Sequence, residues 1–70
     1  MGDENMQRIC DLLLKTLQET RAGSKLTGLI YAVEPHKETV TMVFRNGGEK
    51  TINVTCDSGV ALIYDVLKYL

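Results

Sequence analysis

Apolar residues recur along the first third of the chain with the period of a helix. Met6, Ile9, Cys10, Leu13, Leu14 and Leu17 share one face at about 100° per residue, and Glu4, Arg8, Asp11, Lys15 and Glu19 lie opposite. The pattern predicts a helix over about residues 3–22, capped by Asp3 or Asn5 and ended by Gly23. Glu4–Arg8 and Asp11–Lys15 are i,i+4 pairs in the favourable order. Leu12 falls off the stripe.

The period then changes to two. Runs rich in Val, Ile, Thr, Tyr and Phe predict strands over about residues 26–34, 39–45 and 49–56. Pro35 to Glu38 separates the first two, and Asn46-Gly47-Gly48, a hairpin signal, separates the second and third. A two-residue Asn46-Gly47 turn would oppose Met42 and Thr51 and so mix the faces. A three-residue loop, Asn46 to Gly48 with a glycine bulge, pairs Met42 with Ile52 and Val40 with Val54. In the first hairpin a four-residue loop, Pro35 to Glu38, pairs Val33 with Val40, Tyr31 with Met42 and Leu29 with Phe44.

The predicted inner face is Leu29, Tyr31, Val33, Val40, Met42, Phe44, Ile52 and Val54. Leu26, Gly28, Ile30 and Ala32 form the outer face with Thr41, Val43, Arg45, Thr51, Asn53 and Thr55, and Ile30 falls opposite Val43. The first strand is thus apolar on both faces, more than a two-layer domain requires.

The last segment returns to helical spacing over about residues 58–70, with Asp57 or Ser58 as N-cap. Val60, Ile63, Tyr64, Leu67 and Leu70 form the expected core stripe, with Ala61 beside it. Leu62, Val66 and Tyr69 form a second apolar seam facing another way.

The expected fold class is therefore α+β: a two-layer α-β-β-β-α domain over residues 1–70, its antiparallel meander packed against an N-terminal and a C-terminal helix. Seventy residues suffice for one domain that buries only about 60% of its unfolded surface, and dimerisation is a common remedy for so small a core.

Composition narrows the function classes. Eight basic and nine acidic residues give a net charge of −1, so no strong field favours nucleic acid or a membrane surface. No apolar run is long enough to span a bilayer. The acidic start, Met1-Gly2-Asp3-Glu4-Asn5, does not read as a signal peptide, and Gly2 lacks the basic companions of a myristoyl anchor. A cytoplasmic location is expected. Cys10 and Cys56 read as small, reduced core residues rather than a disulfide framework or a zinc site.

Candidate chemistry is sparse. His36 sits in a turn without a nucleophile or ligand companion. Asn46-Gly47-Gly48 lacks the lysine and helix of a phosphate-binding loop. Glu34, Glu38 and Glu49 read as solvated strand ends, and Asp57-Ser58-Gly59 as a helix cap. No catalytic constellation, cofactor or metal is expected, and the chain reads as no enzyme.

Helix, three strands and helix within 70 residues resembles the double-stranded RNA-binding domain. Pro35-His36 lies in the first hairpin loop, where that family often carries a Pro-x-His segment. Asn46-Gly47 closes the second hairpin, and residues 61–70 resemble the family's alanine- and leucine-rich last helix. The resemblance implies this order of elements. The family grips RNA phosphates with lysines at the start of the last helix, where this chain has Asp57-Ser58-Gly59-Val60-Ala61, with no base and one acid. Lys25, Lys37, Arg45 and Lys50 are the remaining basic residues near strand ends.

The expected function is a non-catalytic protein-interaction module that binds another protein or a second copy of itself. One narrower form is a phage or mobile-element inhibitor that occludes a host protein. The other alternative is a nucleic-acid binder like the double-stranded RNA-binding domain but without its lysine cluster. The candidate partner-binding residues are Ile30, Thr41, Val43 and Arg45 on the outer sheet face, and Leu62, Val66 and Tyr69 on the second seam of the last helix.

Overall fold

A computed structural model describes residues 5–70. Helix α1 (Met6–Gln18) is followed by strands β1 (Leu26–Glu34), β2 (Lys37–Phe44) and β3 (Glu49–Asn53) and by helix α2 (Gly59–Lys68). The strands form one antiparallel sheet in the order β1-β2-β3. This is the expected α+β arrangement. The core joins Cys10 and Leu17 of α1, Leu26 and Leu29 of β1, Val40 and Met42 of β2, Ile52 and Val54, and Leu62 and Val66 of α2.

Asn5 caps α1 by accepting a hydrogen bond from the Arg8 amide at 3.0 Å. The alternative cap Asp3 and the Glu4–Arg8 pair fall outside the described residues. Asp11 accepts a hydrogen bond from Gln7 Nε2 at 2.9 Å rather than from Lys15. The helix ends at Gln18, four residues before the expected end. The Glu19 and Thr20 amides turn to carbonyls three residues back, Thr16 and Leu17, and Thr20 Oγ1 also donates to Leu17 O. The chain then folds back so closely that a Cβ on buried Gly23 would lie 2.5 Å from Leu17 O. Close approach, rather than a position directly after the helix, requires this glycine.

Both hairpin registers differ from expectation by two residues. The first loop is only Pro35-His36: Glu34 pairs with Lys37, Tyr31 with Val40 and Leu29 with Met42. A 3.7 Å ion pair between Lys37 and Glu34 spans this tighter turn. The second loop has three residues and a left-handed glycine, Gly47 at φ 89°, but it begins at Arg45. Phe44 N bonds Gly48 O, and Gly47 N bonds Phe44 O. Val40 therefore pairs with Ile52, and Met42 with Lys50. A slip of two residues keeps every side chain on its face, because side chains alternate with a period of two. The inner and outer sets thus largely survive, while their partners change. Ile30 faces Thr41 rather than Val43, which faces Gly28.

Two residues on the inner and outer lists are displaced. A bulge between Leu26 and Gly28 inserts Thr27 and rotates Leu26 from the expected outer face into the core. Val33, expected in the core, pairs with Glu38 near the hairpin loop and is 66% exposed.

Strand β3 stops at Asn53, three residues early. Asn53 Oδ1 takes the Thr55 amide, and Asp57 N bonds Val54 O across a turn. Cys56 sits in that turn at φ 66°, exposed, and not in the core as expected.

Ser58 caps α2 by accepting from the Ala61 amide at 3.2 Å. The rotation of α2 reverses most of the expected assignment of its faces, although Leu70 of the expected stripe does pack against the core. Leu62 and Val66 are fully enclosed beside buried Gly59, whereas Val60, Tyr64 and Leu67 face outward. The helix is apolar around most of its circumference, so periodicity alone offers two nearly equal stripes. The face chosen buries no phenol, whereas the other would take the Tyr64 hydroxyl inside.

Candidate interaction surfaces

Three surfaces remain once the core is closed. The first is the outer side of α2. Helical spacing brings Val60, Tyr64 and Leu67 into a row, 77%, 67% and 48% exposed, with half-buried Ile63 beside it. The predicted seam on this helix does not supply the surface: Leu62 and Val66 are core, and of that set only Tyr69 reaches solvent.

The second is the uncovered face of the sheet. Ile30 is exposed, Thr41 and Val43 are half-buried, and Arg45 is exposed in the second hairpin loop. These predicted residues share a side of the molecule, but Ile30 stands among small or hydroxylated neighbours. Gly28 and Ala32 flank it along β1, and Thr41, which bonds Thr51 Oγ1 at 3.1 Å, lies opposite. The face is a threonine-rich plane with one isoleucine, a weaker apolar feature than α2.

The third surface was not visible from side-chain patterning. A groove of about 420 Å³ runs between β3 and α2, lined by Lys50, Thr51, Ile52, Asn53, Asp65 and Tyr69. Lys50 and Lys68 both place their ammonium groups within reach of the Tyr69 ring, at 5.5 and 5.7 Å from its centre. Asp65 also lines the groove, and the carboxylates of Asp57 and Glu38 lie close to it. Asp57 Oδ2 is enclosed and meets no hydrogen-bond donor among the described residues. A proton on either aspartate turns their contact into a hydrogen bond. That bond foremost, then burial and the charges of Asp65 and Glu38, hold the Asp57 carboxyl above its ordinary range. These acids do not form a set placed to hold a metal ion among the described residues.

The two edges of the sheet differ. Along β1, α1 closes the edge with side chains: Gln7 donates to Leu29 O and accepts from Tyr31 N, and Gln18 donates to Leu26 O. Along β3, Phe44 N bonds Gly48 O and Val54 N bonds Glu38 O, so the even-numbered residues between them turn their backbone groups toward β2. The amides and carbonyls of Glu49, Thr51 and Asn53 consequently point away from the sheet, and all three residues are exposed.

The four basic residues near strand ends are dispersed. Lys25 and Arg45 are neighbours through Arg45 N and Lys25 O, Lys37 pairs with Glu34, and Lys50 lies in the groove. No helix among the described residues is long and apolar enough to cross a membrane.

Compared with models of known families, with curated proteins and with solved structures, the chain matches none. The likeness to the double-stranded RNA-binding domain lies in the order of elements.

Proposed function

We propose that this domain is a non-catalytic protein-interaction module whose docking surface for a protein partner is the outer side of α2. The single observation behind this reading is the exposed row of Val60, Tyr64 and Leu67 on a helix whose opposite side already fills the core. A helix apolar all round is ordinarily enclosed on all sides, and contiguous exposed apolar residues mark contact sites. Tyr64 suits such a site, since its ring loses area to a partner while its hydroxyl keeps a hydrogen bond. The reading carries a cytoplasmic location with it, in keeping with two unpaired cysteines that stand apart in the fold.

The test uses a photo-cross-linking amino acid in place of Tyr64 in one variant and of Ile30 in another, each expressed in the native cell. The expected result is one protein captured at position 64 and not at position 30. The purified pair then binds at least about tenfold more weakly when Leu67→Asp is introduced. Capture at position 30 alone, or unchanged affinity in a folded Leu67→Asp variant, overturns the assignment.

A further inference from the structure

The exposed backbone edge of β3 is separate from the outer side of α2, and its chemistry points to a different occupant. We infer that β3 pairs antiparallel with β3 of a second copy of this chain, joining the two sheets into one of six strands.

The difference between the two edges is the starting point. An unpaired edge is a template for another strand, and proteins commonly block it. Here α1 blocks β1 with two glutamine amides, and among the described residues β3 carries no equivalent cover: Glu49, Thr51 and Asn53 present their backbone groups outward from exposed positions. Nor does α2 overhang this edge. Lys50 lies on the same sheet face as Ile52 yet is exposed, and the groove between β3 and α2 is open.

The sequence of β3 selects the partner. Two copies related by a two-fold axis can pair only where outward-pointing residues meet, which restricts the axis to a few registers. An axis between Glu49 and Thr51 sets Lys50 against the partner's Lys50, and one through Glu49 sets that residue against its own copy. Axes at Thr51 and at Ile52 bring like charges nowhere opposite; the one at Thr51 sets Thr51 against Thr51, Glu49 against Asn53 and Lys50 against Ile52, and so pairs all three outward residues within β3, whereas the one at Ile52 sets Glu49 against Thr55, beyond the strand.

The same register brings a second lysine to the groove. Asp65 lines the groove near Asp57 and Glu38, and Glu38 O accepts the Val54 amide, so Asp65 lies toward the Ile52–Val54 end of β3. The chain's own Lys50 lines the groove too, but its ammonium lies by the Tyr69 ring, and among the described residues it forms no ion pair with Asp65. In the Thr51-centred dimer, Lys50 of the second copy stands opposite Ile52, at the end of the groove where Asp65 lies. The two-fold repeats the contact on the other side. The interface is thus self-complementary in backbone hydrogen bonds and in charge.

The experiment combines cross-linking with sedimentation equilibrium. In a Cys56→Ser background, Thr51→Cys places two thiols at the axis, where the Cα atoms of a hydrogen-bonded pair are about 5.5 Å apart, within disulfide reach. Mild oxidation is expected to give a covalent dimer for Thr51→Cys and not for Thr27→Cys, an exposed position on the blocked strand. By sedimentation, Lys50→Glu weakens self-association about tenfold, and Lys50→Glu combined with Asp65→Lys restores it. Circular dichroism confirms that each variant is folded. A parent protein that stays monomeric at the highest soluble concentration overturns the inference. So does cross-linking at Thr27 as efficient as at Thr51, or a dimer lost in Ile30→Lys but kept in Lys50→Glu. Any of these leaves the partner-binding role of α2 standing, because none alters Val60, Tyr64 or Leu67.

Discussion

Gln7 acts as an extra strand residue for Tyr31: its side-chain carbonyl accepts the Tyr31 amide at 2.8 Å, while its amide nitrogen reaches Leu29 O at 3.2 Å. One side chain on the helix satisfies the donor and the acceptor that an edge strand leaves unpaired. Replacing it by leucine keeps the bulk and removes both bonds. Gln7→Leu is expected to lower unfolding stability by about 1–3 kcal/mol, since two partly buried backbone groups lose partners. It also unblocks a second edge, so light scattering should detect higher-order association that the parent lacks. Unchanged stability and unchanged scattering would show that the edge needs no such cover.

The reversal of faces on α2 separates two kinds of substitution. Leu62→Ala removes a fully enclosed side chain and is expected to cost about 2–5 kcal/mol, a large part of the stability of so small a domain. Leu67→Ala and Val60→Ala, on the outer side, are expected to shift stability by no more than about 0.5 kcal/mol. Urea unfolding of the three variants decides the matter. A larger loss at Leu67 than at Leu62 would restore the stripe that periodicity favours.

The two cysteines are expected to behave differently. Burial foremost, with the Asp11 charge adding to it, pushes the Cys10 thiol from 9.0 up to about 11, while Cys56 is exposed in a turn. An alkylating reagent should therefore modify Cys56 in the native protein and Cys10 only after unfolding, read by intact mass. The raised value also has a consequence for stability. Below about pH 9 both states keep the proton. Above it the unfolded state loses the proton first, so stability falls by up to about 1.4 kcal/mol per pH unit until the folded thiol ionises near 11. Cys10→Ala should remove this part of the alkaline slope, leaving that of Tyr31, whose phenol is raised by burial and by Glu38.

Asp57 sets a pH dependence at the acidic end. Its carboxyl is held above the ordinary value by the hydrogen bond with Asp65, then by burial and the neighbouring charges. A raised acid stabilises the fold while protonated, and that contribution is lost as pH rises from the unfolded value through the folded one. Asp57→Asn supplies a permanent donor toward Asp65 and should raise stability at neutral pH. The gain should shrink to nothing near about pH 3, where the parent is protonated in both states. Thermal melts at the two pH values measure it. A gain of equal size at both would place the effect elsewhere.

Much of the architecture was legible in the chain. Helical spacing from Met6 to Leu17, alternation through the three strands and the turn residues between them sufficed for the element order and the fold class, because local periodicity is set by backbone geometry. Alternation also assigned most of the sheet's inner face correctly despite wrong pairing partners, since a slip of two residues leaves each side chain where it was. Leu26 was misassigned because a bulge interrupts the period; Gly28, a residue that often marks a bulge inside a strand, was the one local signal of it.

Tertiary structure decided what the period could not. Which side of α2 is buried depends on how the short Thr55–Ser58 link delivers the helix to the sheet, and two apolar stripes left that choice open. The fate of the sheet edges depends on where α1 lies, which brings Gln7 and Gln18 to β1 and, among the described residues, leaves β3 uncovered. Side-chain pattern describes faces, whereas edges consist of backbone groups that every residue type carries, so only the packed arrangement distinguishes a closed edge from an open one.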